Sequence, residues 1–366
     1  MKKKVVMILL CLGAFAGMLT GCANDGRQTD NNLSLENAKG ENALNTVRIT
    51  PTEDIKELEN GLSVVRYEGN YGFDEFLEQG GADTDAKVAE FLMENLSESG
   101  LKLFFGGNPF GCSTLSTEGS DGGYLFGRNF DWNNCEGLIV SVKPEDGYAS
   151  VSTVNRDFIT SSGVDISRLP DNVQAIVALY APLDGMNEQG LAVSVNMIQD
   201  SDNIEQNTDR PDITTTTAVR LLLNKAAMVE EAIELLKQYD MHASMGMMVH
   251  FALADAKGGS VVVEYVGNEM SVVETPVVTN FYLTEGEKYG VGTEQSHERY
   301  EILMHVLDGQ ENMTEQKVRD ALDSVSKDNF GEFESTEWSI VMNQETKELT
   351  YFHRENYQNG YTISIE

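Results

Sequence analysis

Strand-like and helix-like stretches come in blocks along this chain instead of alternating one by one, and that ordering narrows the folds open to it. An alternating run at Leu62–Tyr67 is followed by helical spacing of Val88, Phe91, Leu92 and Leu96 within 84–96. Short strands then dominate at 112–117, 124–128, 138–142 and 149–154, with Asp121-Gly122-Gly123 as a turn signal. Turns at Asp184-Gly185 and Asn187–Gly190 lead into a strand over 191–197. Two consecutive helices are expected at 217–223 and 229–239, the second with Ala232, Ile233, Leu235 and Leu236 on its apolar side. Strands return at 250–254 and 260–266 across Asp255–Gly259, a hairpin signal. Helical spacing recurs at 299–306 and 314–325, and 338–343 with 348–353 reads as a late hairpin. Such blocks predict an α+β protein, a mostly antiparallel sheet covered by helices; a parallel nucleotide-binding fold would alternate strand and helix.

With 366 residues, 41% of them hydrophobic, and seven prolines, the chain buries a proper core. Its 59 acidic against 26 basic side chains give a net charge of -33, which repels nucleic acid and anionic lipid headgroups. The first residues have the order of an export signal: Lys2 to Lys4, then an apolar run from Val5 to Met18 that is short for a membrane span. Leu19-Thr20-Gly21-Cys22 closes it and resembles the bacterial lipobox, so residues 1–21 read as a lipoprotein signal peptide and Cys22 as the lipidated residue. An ordinary signal peptide with an incidental cysteine is the plainer alternative. Residues 22–46 are polar and aperiodic, a flexible tether. The expectation is an exported protein, lipid-anchored to the outer face of the bacterial cell membrane.

Of the four cysteines, Cys11 leaves with the leader and Cys22 would carry lipid, so Cys112 and Cys135 remain. In an oxidising compartment they either pair, or one of them is a working thiol. The chain lacks a G-x-S-x-G elbow, an H-E-x-x-H helix, a Walker loop and a G-x-G-x-x-G turn after a strand. His297 and His305 lie eight apart with no third ligand nearby and read as surface histidines, so neither metal nor cofactor is expected. The densest chemical cluster is Gly111-Cys112-Ser113-Thr114-Leu115 followed by Phe126-Gly127-Arg128-Asn129-Phe130-Asp131-Trp132. If a hairpin turns at 121–123, Arg128 lies where it lowers a thiol pKa and Asp131 where it orients a basic amine. A buried, inert cysteine beside a surface ion pair explains the same residues equally well.

Segment 112–131 resembles the start of mature choloylglycine hydrolases, penicillin V acylases and the related acyltransferase and ceramidase-like amidases. Asp184-Gly-Met-Asn-Glu-Gln-Gly-Leu191, the hairpin block His250–Glu264, Val278-Thr279-Asn280 and the stretch Ser296–Tyr300 resemble further blocks of that superfamily, in order, over roughly 111–353. The resemblance implies a four-layer αββα sandwich of antiparallel sheets, the N-terminal-nucleophile (Ntn) hydrolase fold. It implies a hydrolase of linear, non-peptide amide C–N bonds, with a small-molecule amide as substrate and a thioester acyl-enzyme. Carried over by position, Cys112 is the nucleophile, Arg128 its electrostatic neighbour and Asp131 the holder of the α-amine. Asn196 contributes to the oxyanion hole, Asn280 binds near the reacting amide, and Arg299 supports the site. Because the Cys112 amine is tied up in a peptide bond, the resemblance further implies autocleavage between Gly111 and Cys112. Residues 47–111 would then be an N-terminal pro-segment or accessory lobe, and 112–366 the hydrolase domain. An inactive lipid-anchored binding protein of the same fold and an acyltransferase to an amine acceptor are the alternatives. Some relatives are tetramers, which makes a homo-oligomer an expectation.

Overall fold

Two large β-sheets stacked face to face organise the computed structural model, which describes residues 44–96, 103–107, 110–161, 166–286, 290–310, 312–327 and 335–366. In spatial order the first sheet runs Thr46–Arg48, Gly360–Ser364, Glu348–His353, Ser335–Asn343, Tyr124–Trp132, Gly111–Glu118 and Val277–Val278. The second runs Glu269–Glu274, Ser260–Val266, Val249–Ala254, Ala192–Met197, Asp184–Asn187, Ser150–Asn155, Gly137–Lys143, Leu62–Glu68 and Lys56–Glu59. Neighbours in both sheets are antiparallel except at two joins, Thr46–Arg48 with Gly360–Ser364 and Leu62–Glu68 with Gly137–Lys143. Helices Glu294–Asp308 and Glu315–Ser324 cover the outer face of the first sheet, while Asp171–Leu179, Thr215–Lys225 and Val229–Leu236 cover the second. This is the αββα sandwich expected from the sequence.

Strand alternation decides what each face carries. In the hairpin of Gly111–Glu118 with Tyr124–Trp132, Cys112 lies opposite Phe130 and Gly111 opposite Asp131. Cys112, Phe126, Phe130 and, from the next strand, Ile340 belong to the core between the sheets. Leu115, Leu125 and Val341 instead join Leu303, Val318 and Leu322 of the covering helices in a second apolar cluster. The second strand of this hairpin extends to Trp132, past the 124–128 expected, because Arg128, Asn129 and Asp131 all have buried polar partners despite their low strand propensity.

The described residues of segment 47–111 are woven into the same sandwich. Leu62–Glu68 lies inside the second sheet, with Leu62, Val64 and Val65 fully buried, and Phe73 and Phe76 pack near Tyr180. Helix Asp85–Asn95 starts where Thr84 caps Lys87 N–H. Leu44 already packs on the second cluster and Asn45 donates to Asn359. Residues 1–43, which hold the expected leader, Cys22 and most of the tether expected over 22–46, lie outside the described residues. Among the described residues, no helix is long and apolar enough to cross a membrane.

Candidate active site

Cys112 is wholly buried, and its Sγ lies 3.7 Å from the carbonyl oxygen of Val195 on the facing sheet. Its backbone N–H donates to Asn280 Oδ1 at 2.9 Å, and its carbonyl accepts from Arg299 Nη1 at 2.8 Å. Arg299 also reaches Asn280 Oδ1 at 2.8 Å and Asp131 Oδ2 at 3.1 Å. On the other side of the hairpin, Arg128 donates through Nε to Asp184 Oδ2 at 2.8 Å and through Nη1 to Asn196 Oδ1 at 3.3 Å. Asn196 Nδ2 in turn donates to the carbonyl of Val278 at 3.2 Å. The six residues singled out in the sequence, Cys112, Arg128, Asp131, Asn196, Asn280 and Arg299, therefore meet in one buried polar network drawn from both sheets and one helix.

The local folding explains why each group points where it does. Asn280 follows the edge strand Val277–Val278, which pairs with Leu115 and Thr114 of the cysteine's own strand. Helix Glu294–Asp308 begins with a capping box between Thr293 and Ser296, and Thr279 Oγ1 donates to the Ser296 carbonyl, tying the helix start to the Asn280 loop. That start needs the left-handed turn at Gly292 (φ 81), where a Cβ would lie 2.6 Å from the Cβ of Phe281. Arg299, one turn on, then has only 5% of its surface exposed and can reach the cysteine backbone.

Burial pushes the Cys112 thiol up to about 11; Arg128 and Arg299 oppose this, and Asp131 adds to it. In the intact chain the sulfur is therefore held as a thiol. Cys135 is also buried and free, so the two cysteines do not pair, and burial with Glu337 nearby raises it well above its usual range. Among the described residues, no group of three His, Cys, Asp or Glu side chains gathers as metal ligands would. His297 lies on its helix stacked on Phe281, 3.9 Å between ring centroids.

Several supporting residues were not singled out in the sequence. Asp184 pairs with Arg128 and also accepts from Trp338 Nε1 at 3.0 Å, both ionic groups being fully buried. Thr336 donates to Asp131 Oδ1 at 2.7 Å, and Lys327 Nζ stands 3.9 Å from Asp131 Oδ2. His250 and Glu264 face each other across their hairpin at 3.0 Å, and the other His250 nitrogen meets the carbonyl of Thr279, next to Asn280. Charge and motif identity were available for Asp184, His250 and Glu264, since all three fall in the blocks quoted above; their partners lie on other strands.

Glu264 offers a pH test of this support. Burial alone would raise its pKa, but hydrogen bonds from His250 and the amides of Thr284 and Leu283 outweigh it and hold the carboxyl at about 2. A depressed carboxylate stabilises the fold fully above its unfolded value, near 4.5, and loses that contribution as pH falls towards 2. Glu264→Gln is expected to cost about 2–3 kcal/mol at pH 7. Thermal melts from pH 7 to pH 3 should show wild type and variant converging on acidification; a constant gap would contradict this assignment.

Comparisons with known proteins identify the family and the fold. The family model of linear amide C–N hydrolases, choloylglycine hydrolase family, matches residues 112–317, more than half of the chain, and its match begins at Cys112. Two variants of the conjugated bile acid hydrolase from Clostridium perfringens share the fold, with TM-scores of 0.54 and 0.53 at 19% and 18% identity. Each comparison covers 69% of this chain and 92% of the other. The penicillin V acylase from Agrobacterium tumefaciens aligns at 18% identity and TM-score 0.48, over 66% of this chain and 83% of that one. No curated protein matches the sequence. The chain belongs to the choloylglycine hydrolase family of linear amide C–N hydrolases.

Proposed function

We propose that Cys112 is the nucleophile of this hydrolase and becomes its N-terminal residue when the Gly111–Cys112 bond is cut by the chain itself. The observation that carries the reading is the placement of that one peptide bond. Its nitrogen is held by Asn280 and the next carbonyl by Arg299, while Gly111 lies so close to Asp131 that a Cβ there would come within 2.9 Å of its carboxylate. The family match beginning at Cys112 supports it. In the cut, Sγ bonds to the Gly111 carbonyl carbon, the C–N bond breaks, and the thiol proton passes to the departing nitrogen. Water then hydrolyses the thioester, leaving a Gly111 carboxylate, a free thiol and a free α-amine.

That amine titrates near 8 in an unperturbed chain, so it supplies at neutral pH the base that the intact chain lacks. In turnover it accepts the thiol proton as sulfur attacks the substrate carbonyl, then returns a proton to the leaving amine. Asp131 and Asn280 orient the α-amine, Arg128 favours the thiolate, and Asn196 offers an amide donor to the developing oxyanion, a contribution of about 3–4 kcal/mol in comparable sites. Cutting leaves two chains in one molecule, because Leu62–Glu68 remains an inner strand of the second sheet. We also propose that the lipobox-like segment directs export and that Cys22 carries the lipid; the order of charge, apolar run and Leu19–Cys22 supports this.

One preparation tests both parts. Intact mass spectrometry of protein extracted from membranes should find a lipid-bearing chain from Cys22 to Gly111 and a second chain from Cys112 to Glu366. A single uncut chain would remove the cleavage reading; a cut protein without lipid would remove only the anchor.

A further inference from the structure

Lys327 is a buried lysine beside the bond to be cut. It lies just past the end of helix Glu315–Ser324, is 7% exposed, and holds its Nζ 3.9 Å from Asp131 Oδ2. A Cβ added to Gly111 would lie 2.7 Å from that Nζ. One C–C bond of about 1.5 Å further on, the Gly111 Cα is within about 4.2 Å of the ammonium group. The placement is built into the fold. The Lys327 N–H donates to Thr336 Oγ1 at 2.9 Å, its carbonyl accepts from the Thr336 N–H at 3.1 Å, and Thr336 Oγ1 donates to Asp131 Oδ1 at 2.7 Å. Arg299 meets Asp131 Oδ2 more closely, at 3.1 Å, so Asp131 does not depend on Lys327 for a partner.

Strand alternation puts this amine on the far side of the peptide from the sulfur. Cys112, with Phe126 and Phe130, faces the core between the sheets. Gly111 and Asp131 share the opposite parity with Leu115 and Leu125, which face the covering helices. The missing Cβ of Gly111 therefore points outward, and Lys327 Nζ stands where it points. When Sγ adds to the Gly111 carbonyl carbon from the inner side, the C=O π pair moves onto oxygen and that oxygen swings away from the sulfur. It swings towards Lys327. Asp131 Oδ2 stands on the same face, 2.9 Å from the added Cβ, so the growing negative charge there needs a cation to offset the carboxylate.

We infer that Lys327 supplies the positive charge that stabilises the Gly111 oxyanion during self-cleavage. The inference rests on the cleavage reading above. As the tetrahedral intermediate collapses, the pair on oxygen re-forms the carbonyl, the C–N bond breaks, and the nitrogen takes the thiol proton. Lys327 keeps its own protons throughout and acts by charge alone. Asn196 cannot serve the same oxygen, because its contact with Arg128 places it on the thiol's side of the strand. The two oxyanions are thus divided between two residues: Lys327 for the one bond within the chain, and Asn196 for the carbonyl of each later substrate.

The test follows the rate of the cut in the full chain made by cell-free synthesis, sampled by gel and by intact mass. Wild type should divide between Gly111 and Cys112. Lys327→Met should divide at least tenfold more slowly, and about 100-fold more slowly if the charge is worth as much as an oxyanion-hole donor. Lys327→Arg, which keeps the charge, should divide at least about threefold faster than Lys327→Met. Melting temperatures of the same samples separate a lost charge from a lost fold. If the methionine variant does not fold, Lys327→Gln, uncharged but still polar, takes its place. A folded, uncharged variant that cuts within tenfold of the wild type, or an arginine variant no faster than the uncharged one, would overturn the role of Lys327 alone. An uncut wild type would overturn the cleavage reading and this inference with it.

Discussion

Cys112→Ala is expected to lower kcat/KM for any N-acyl amide by at least ~10⁴-fold and to leave the chain uncut at Gly111. The fold should survive. Asn280 and Arg299 bind the backbone N–H and carbonyl of residue 112, which alanine keeps, and the thiol's own polar neighbours are the Val195 carbonyl at 3.7 Å and the Arg128 guanidinium. Its melting temperature should therefore stay within about a few degrees of the wild type. Loss of cleavage and of hydrolysis in one folded variant ties both to the same sulfur. Retention of either would move the nucleophile elsewhere, and calorimetry with intact mass and an anilide assay settles which.

Asp184→Ala is expected to be the most destabilising single change at the site, by about 3–5 kcal/mol. Arg128 and Asp184 are both fully buried and 2.8 Å apart, so removing the carboxylate leaves a guanidinium without its counter-charge between the sheets and frees the Trp338 indole N–H from its acceptor. The double variant Arg128→Met with Asp184→Leu should regain much of that loss, because replacing both members of a buried pair by apolar groups removes the uncompensated charge. It should not regain hydrolysis, since Arg128 faces the thiol and opposes the rise that burial imposes on it. Denaturant titrations of the single and double variants measure the first expectation, and the anilide assay the second. A single variant as stable as wild type would show that the pair is not closed in solution.

Much of the architecture was legible because period and turn chemistry are local. Val88, Phe91 and Leu92 declared a helix, and the expected hairpin 250–254 with 260–266 forms across Asp255–Gly259. The parallel joins were not legible, since Leu62–Glu68 meets Gly137–Lys143 across a separation that no local pattern encodes. Helix Asp171–Leu179 also escaped: it is apolar nearly all round, with Val173, Ala175, Val177, Ala178 and Leu179 all buried, and so lacks the stripe that marks an amphipathic helix. At the site, residue types and order pointed to Cys112, Arg128 and Asp131, and resemblance added Asn196, Asn280 and Arg299. Partnership was the missing layer. Nothing near Arg128 in sequence names Asp184 as its counter-ion, and nothing in Thr336 or Lys327 suggests Asp131, because these contacts exist only after the strands align.

The claim that Cys112 attacks as an N-terminal nucleophile is tested most directly by trapping its acyl-enzyme. Protein turning over a p-nitroanilide would be quenched in acid within milliseconds and its two chains weighed. The chain beginning at Cys112 should carry the mass of the acyl group, that mass should vanish on treatment with neutral hydroxylamine, and the Cys112→Ala variant should never acquire it. Turnover with no adduct, or an adduct that persists in the alanine variant, would contradict the account.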